Sequence, residues 1–448
     1  MAGNSDRRTL GDYFTLQRGT TYKSKLLGQP GPFLLGLATI QRNGGFRRDS
    51  LRTYGGESPD KLLVQPGELY LSLKDVTQSA DLLGAVARLP LDHAPGRLTQ
   101  DTVKLEPKDV DVPVDYLYWL LRTPQYRGYC RSHATGTTNL GLAREDFLAF
   151  AAPEPTAGQR QIVSTLGALD DKIELNRQMN ETLEAILRAL FKSWFVNFEP
   201  VRAKAEGRNP DLPKRCASIF PARFVTSEMG KIPAGWESSS LGRIAETCGG
   251  VIQTGPFGSQ LHAADYVDDG IPVVMPQDLS ARRVLISKIA KIRQHDADRL
   301  SRHRIRFGDI VYSRRGDVER HALISRREAG WLCGTGCLLV RLGEAFPSPL
   351  YASLALDQPD TRAWIVQHAI GATMPNLNTS ILSGVPILRP TDQVLDAFNA
   401  LVGPIESRIL VNEEQSAALS TLRTALLPKL ISGELRTKDV ERADEATT

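Results

Sequence analysis

Between Arg282 and Arg327 the chain carries fourteen lysines and arginines against five acids, a local excess of +9. The chain as a whole reaches only +4, so taking +9 away leaves −5 for everything outside that run. Cations packed this densely suit a polyanion. Lys and Arg neutralise phosphates, and the planar fork of Arg matches the edge of a guanine. The competing reading is a solvated face with counter-charges folded against it. Arg314 and Arg315 are the most pointed members of the run. They follow a strand pattern, Phe307-Gly308-Asp309-Ile310-Val311-Tyr312-Ser313, and further on stands a polar glycine loop, Gly371 to Leu377. The same sequence of events occurs earlier. Pro66-Gly67-Glu68-Leu69-Tyr70-Leu71-Ser72 precedes Lys74, and Gly136-Thr137-Thr138-Asn139-Leu140 forms a loop two residues shorter than its echo. His133 and His368 stand beside the two loops; anchoring the loop is the plainer role for each, and a phosphate contact the alternative.

Catalytic patterns are missing. There is no Gly-x-x-x-x-Gly-Lys for nucleotide hydrolysis and no Asn-Pro-Pro-Tyr-like tetrapeptide for holding a flipped base. The five cysteines form no Cys-x-x-Cys, and Cys333 and Cys337 have neither a nearby histidine nor a second pair to complete a metal site. Reduced thiols in a cytoplasmic protein are expected. No apolar run is long enough to span a bilayer, and the opening Met1 to Arg8 lacks the apolar core of a secretory signal, so no membrane partner is expected.

The elements that must position these residues come in two copies. Asp171-Lys172-Ile173-Glu174-Leu175-Asn176 recurs as Ser407-Arg408-Ile409-Leu410-Val411-Asn412, an offset of 236 residues. The register continues beyond it, with Leu183 opposite Leu419 and Leu190 opposite Leu426. From Thr156, a fitting N-cap, residues Ile162, Leu166, Leu169, Ile173, Asn176, Asn180, Leu183, Leu187, Leu190 and Trp194 alternate in steps of four and three, a coiled-coil seam. Val394, Phe398, Leu401, Ile405, Ile409, Asn412, Leu419, Leu422, Leu426 and Leu430 repeat it, with Pro404 expected to kink or open the second helix. The spacing predicts an α+β chain. Mixed α/β modules occupy 1–155 and 236–390, long helices 156–196 and 391–436, a proline-rich linker 197–235 and a polar tail 437–448. Two antiparallel helices with a module at each end, a pseudo-two-fold molecule with the helices as spacer, is the simplest assembly. Asn176 and Asn412 fall in the seam, where a buried amide fixes register.

Taken together, several stretches resemble the specificity subunit of type I restriction-modification systems, over essentially the whole chain. They are Thr254-Gly255-Pro256-Phe257-Gly258-Ser259-Gln260-Leu261, Arg315-Gly316-Asp317, Gly371 to Leu377, Glu199-Pro200-Val201-Arg202-Ala203-Lys204, and Leu427 to Leu435. The resemblance implies a non-catalytic subunit with two target-recognition domains, each reading half of a bipartite double-stranded DNA site. It implies helices that dock two methyltransferase subunits, with motor-nuclease subunits joining the complex. S-adenosylmethionine, ATP and Mg then belong to those partners and no cofactor to this chain. The first module departs from the pattern, offering Arg18 to Lys25 where the second has its Gly-Pro-Phe-Gly-Ser run.

Residues suited to DNA contact are Arg18, Lys23, Lys25, Lys74, Thr137, Thr138 and Asn139 in the first module. In the second they are Ser259, Gln260, Arg282, Arg283, Arg314, Arg315, Thr373 and Asn376. The four loop glycines Gly136, Gly255, Gly258 and Gly371 suit turns rather than contacts. A self-sufficient methyltransferase or nuclease, and a coiled-coil scaffold binding only protein, are the rival readings.

Overall fold

The computed structural model describes residues 8–137, 139–371 and 374–431. Thr138, Thr373 and the expected polar tail 437–448 lie outside the described residues. The chain divides into two compact units. One comprises Met1–Arg177 with Glu413–Thr448, the other Gln178–Asn412. The division cuts both long helices, at Arg177 and Asn412, and not at the helix ends as the sequence pattern predicts. Each unit therefore owns a stretch of both helices.

In the first unit an antiparallel sheet runs in the order Phe14–Arg18, Thr102–Pro107, Leu69–Ser72, Val86–Arg88. Every residue of Leu69–Ser72 is buried, which is why that strand reads as a nearly continuous apolar run. A smaller sheet pairs Phe33–Leu35 in parallel with Gly96–Leu98 and adds Leu63–Val64. The buried helix expected at Tyr116–Leu121 is present as Val114–Leu120. Its side chains pack with Tyr126, Phe147 and Phe150, and the core closes on Ile162, Val163 and Leu166 of the first long helix and Leu427 of the second.

The second unit repeats the plan. Val251–Thr254, Cys337–Arg341, Ile310–Ser313 and His321–Leu323 lie in the same order with the same antiparallel pairing. A companion sheet again contains one parallel pair, Ile271–Val274 with Leu332–Cys333. The core joins Leu187, Phe191, Trp194 and Phe195 of one helix to Val394, Leu395, Phe398 and Val402 of the other. The stretch 197–235 corrects the expectation of a plain linker. It forms helices Glu199–Ala205 and Lys214–Ser218 and a hairpin, Phe224–Ser227 with Gly230–Pro233, and it buries Val201, Phe220 and Ile232 in the same core.

The first long helix spans Ala157–Phe191 and continues through a wider turn, Lys192–Val196. Thr156 caps it reciprocally: Gln159 N donates to Thr156 Oγ1 (3.2 Å) and Thr156 N donates to Gln159 Oε1 (3.0 Å). The second runs Asp392–Ile431 without a break at Pro404, contrary to the expected opening. One lost backbone bond there is offset by Phe398, Val402 and Ile409, buried on either side. The seam is also shifted. Leu401 and Leu422 are exposed while Val402 and Leu427 are buried, because a straight helix drifts about 20° per heptad from a strict seven-residue repeat.

Within each unit the helices run antiparallel. In the first, Asn176 Nδ2 donates to Gln415 Oε1 (2.9 Å) and Ser416 Oγ (3.2 Å), while Asp170, earlier in the chain, takes Arg423, later in it. In the second, Asn412 Nδ2 donates to Asn180 Oδ1 (2.7 Å), and Asn180 Nδ2 to the Ile409 carbonyl (3.2 Å). Asn176 and Asn412 are fully buried and so do not sit at a solvent-facing edge.

Candidate nucleic-acid interface

The strand order places chemistry at one end of each four-stranded sheet. In the first unit Arg18 ends its strand, Ser72 ends another, and Thr102 begins the strand that lies between them, so all three share an edge. Beyond Ser72, Lys74 and Asp75 pair with Gly141 and Leu140, which brings Lys74 to the foot of the glycine loop. Lys74 Nζ also reaches Asp101 (3.0 Å). A cavity of about 440 Å³ opens between Lys74, Asp101, Gly136 and Asn139. Another of about 340 Å³ takes in Arg18, Lys74, Gln100 and Arg144. The loop needs its glycine: Gly136 has φ +96°, and a Cβ there would stand 2.4 Å from the Asn139 carbonyl oxygen. Arg18, Lys74, Thr137 and Asn139 are therefore gathered at this edge, the last two exposed on the loop. Lys23 and Lys25 are not; they lie on and beside the exposed turn Ser24–Leu26 and line neither cavity. Gln100 and Arg144 are additions that sequence reasoning missed. The only signal was their closeness in the chain to the strand Thr102–Pro107 and to the glycine loop.

The second unit builds the same edge from Thr254, Ser313 and Cys337. Arg314 N donates to the Gly336 carbonyl (2.8 Å), Leu377 N to the Arg314 carbonyl (2.8 Å), and Gly316 N to the Pro375 carbonyl (3.0 Å). Arg315 and Asn376 form a bridge. The structure thus joins Arg314, Arg315 and Asn376, which are 61 residues apart in sequence (315 to 376). Arg315 is exposed, and Arg314 buries an Nε that has no hydrogen-bond partner among the described residues. Ser259 is exposed on the loop leaving Thr254. The Gln260 side chain folds back and accepts from Phe257 N (3.1 Å), so it shapes its own loop. His133 and His368 hold their helix ends: each Nδ1 lies by a carbonyl four residues back (2.9 and 2.8 Å), and each ring packs on Tyr129 or Trp364.

Arg282 and Arg283 are corrected. Ala281 and Arg282 take positive φ (46° and 65°) in the two-residue turn between Leu279–Ser280 and Arg283–Val284. That turn sends Arg282 inward until it is 2% exposed, with Nη2 2.8 Å from Glu184 Oε2. Arg283 joins Glu184 (3.2 Å) and Glu406. Both arginines fasten the module to the two helices of its own unit. The first unit uses the same helix position, since Asp170 precedes Glu406 by 236 residues and takes Arg122 (3.3 Å) and Arg423. The basic run is thus partly consumed by the protein's own carboxylates, and Arg304 likewise pairs with Asp298 (2.7 Å).

Two units of one strand order, each with a basic sheet edge under a glycine loop and each joined to a long helix by an arginine–carboxylate pair, define a duplicated two-module protein. No protein-family model matches the chain. It is 27% identical over 379 residues to the type I restriction enzyme HindI specificity subunit of Haemophilus influenzae, covering 74% of this chain and 79% of that one. It is also 27% identical over 363 residues to the type I restriction enzyme MjaIX specificity subunit of Methanocaldococcus jannaschii, covering 80% and 76%. The fold is similar to the crystal structure of the S subunit of a type I restriction-modification system from M. genitalium, with a TM-score of 0.55, 14% identity, and 96% and 97% of the two chains covered. Over most of its length the chain is thus similar to specificity subunits of type I restriction enzymes.

Proposed function

We propose that this chain is the DNA sequence-recognition subunit of a type I restriction-modification complex and performs no catalysis itself. The observation that carries this reading is the repeated edge: Arg18, Lys74 and Asn139 in one unit, Arg314, Arg315 and Asn376 in the other, each gathered beside a glycine loop. Arg and Lys there supply phosphate contacts, and Arg, Asn and Thr supply base-edge contacts. Each module reads one half of a bipartite site. Helices joining the modules then act as the spacer, with Asn176 and Asn412 fixing their register through the amide pairs already described.

The helices also dock two methyltransferase subunits. Each unit exposes large apolar residues on them: Leu175 and Leu422 in the first, Ile186 and Val411 in the second. These are repeat partners at the 236-residue offset, Leu175 with Val411 and Ile186 with Leu422, which suits two copies of one partner. S-adenosylmethionine, ATP and Mg belong to the partner subunits.

The test is methylation by the assembled complex on a DNA library with both half-sites randomised. The double variant Arg314→Ala, Arg315→Ala is expected to relax one half only, at about 1–3 kcal/mol per lost base-edge contact. Equal change in both halves would refute the division of labour. No change in either half or in salt dependence would remove these arginines from the DNA face.

A further inference from the structure

The glycine loop of the second module is the longer of the two. Matching Gly136 and Asn139 to Gly371 and Asn376 leaves Met374 and Pro375 as the additional pair. Met374 is 63% exposed, and Ile370 at the foot of the loop 61%. This apolar surface is not loosely hung. Ile370 and Asn376 exchange two backbone hydrogen bonds of 2.9 Å, and the contacts of Pro375 and Leu377 to Gly316 and Arg314 pin the other side. Gly371 adopts φ +106°, and a Cβ there would lie 2.8 Å from the Met374 carbonyl oxygen.

A single exposed apolar residue is ordinary on a protein surface. Two facts set this one apart. It is an insertion relative to the repeat, and its loop is bonded directly to the strand of Arg314 and Arg315. The first module presents Thr137 and Asn139 at its loop, groups that hydrogen-bond. A thioether chain cannot read a donor or acceptor edge, but it can pack on the one apolar group that the major groove displays, the C5-methyl of thymine. Methionine is unbranched and pliant, so it conforms to such a group.

We infer that Met374 is a specificity-determining residue that packs on a thymine methyl in the half-site read by the second module. This rests on the recognition reading above. The experiment uses the assembled complex and measures methylation kcat/KM on duplexes chosen from the randomised library. Uracil then replaces each thymine of that half-site in turn, removing only the methyl group. One position is expected to lower the wild-type value roughly four-fold, the worth of one buried methyl-sized group. Met374→Ala is expected to show a similar loss on thymine and indifference to uracil at that position, while Met374→Leu keeps the discrimination. Unaltered binding of the alanine variant to random duplex at low salt shows that the fold is intact. The inference is overturned if no thymine of that half-site is sensitive, if Met374→Ala still distinguishes uracil from thymine, or if it lowers the rate on all sequences alike. A wild-type complex with no sequence preference at all would overturn the recognition reading instead, so the two failures are distinct.

Discussion

Side chains of one type carry different meanings here according to where the backbone sends them. Arg282 and Arg315 look alike in the sequence, both members of the basic run. One turn with positive φ buries the first, and one bridge to Asn376 leaves the second in water. Charge counting could not separate them, because it has no access to the turn geometry of two non-glycine residues. Histidine gives the residue-scale prediction. His321 is buried against Tyr312, with Nε2 3.1 Å from the Ser353 carbonyl, and burial lowers its pKa to about 4. Its unfolded value lies near 6.5. The unfolded chain therefore binds the extra proton first, and the stability contributed by neutral His321 is complete above about pH 6.5 and lost as pH falls toward 4. The loss is on the order of 3 kcal/mol. Urea unfolding at stepped pH checks it: His321→Gln should flatten the fall between pH 6.5 and 4, and an unchanged slope would show that other groups set it.

Elements were legible where periodicity or capping was strong. The Thr156 box, the strand Leu69–Ser72 and the helix Val114–Leu120 all follow from local pattern. The stretch 197–235 was not, since its prolines read as a linker while Val201, Phe220 and Ile232 are buried by partners distant in sequence. Loop and strand patterns point to Thr137, Asn139, Arg314, Arg315 and Asn376, and the fold gathers them at sheet edges. The attachment of modules to helices was invisible beforehand because it pairs acids and arginines about a hundred residues apart. Glu184 is its centre, within 3.2 Å of both Arg282 and Arg283. Glu184→Ala leaves buried Arg282 without its carboxylate, at a cost of about 3 kcal/mol. Arg315→Ala, at an exposed position, should alter stability by less than about 0.5 kcal/mol. Urea midpoints with an unchanged slope would verify both, and equal midpoints for the two variants would show that the Glu184 contact does not hold the module.

On the scale of the molecule, the repeat is legible from the 236-residue offset, but the way the chain is shared between units is not. The second unit is one continuous stretch, Gln178–Asn412, whereas the first needs residues on both sides of it. Its core includes Leu427 packed with Ile162, Val163 and Leu166. On a ribosome the amino-terminal module is thus made first and completed last. The second unit has every residue of its core in hand once Asn412 has emerged, while the apolar face at Ile162 to Leu166 waits for the helix beyond it. A chain stopped after Asn412 should keep one cooperative unfolding transition, from the second unit, and show amide exchange throughout the first module faster than in the full chain. Equal protection in both forms would mean that the first module is finished without its late-arriving helix. During synthesis, then, the segment that waits is the older one, and the interval in which it is open to wrong partners, chaperones and proteases is set by the time needed to translate the entire second unit.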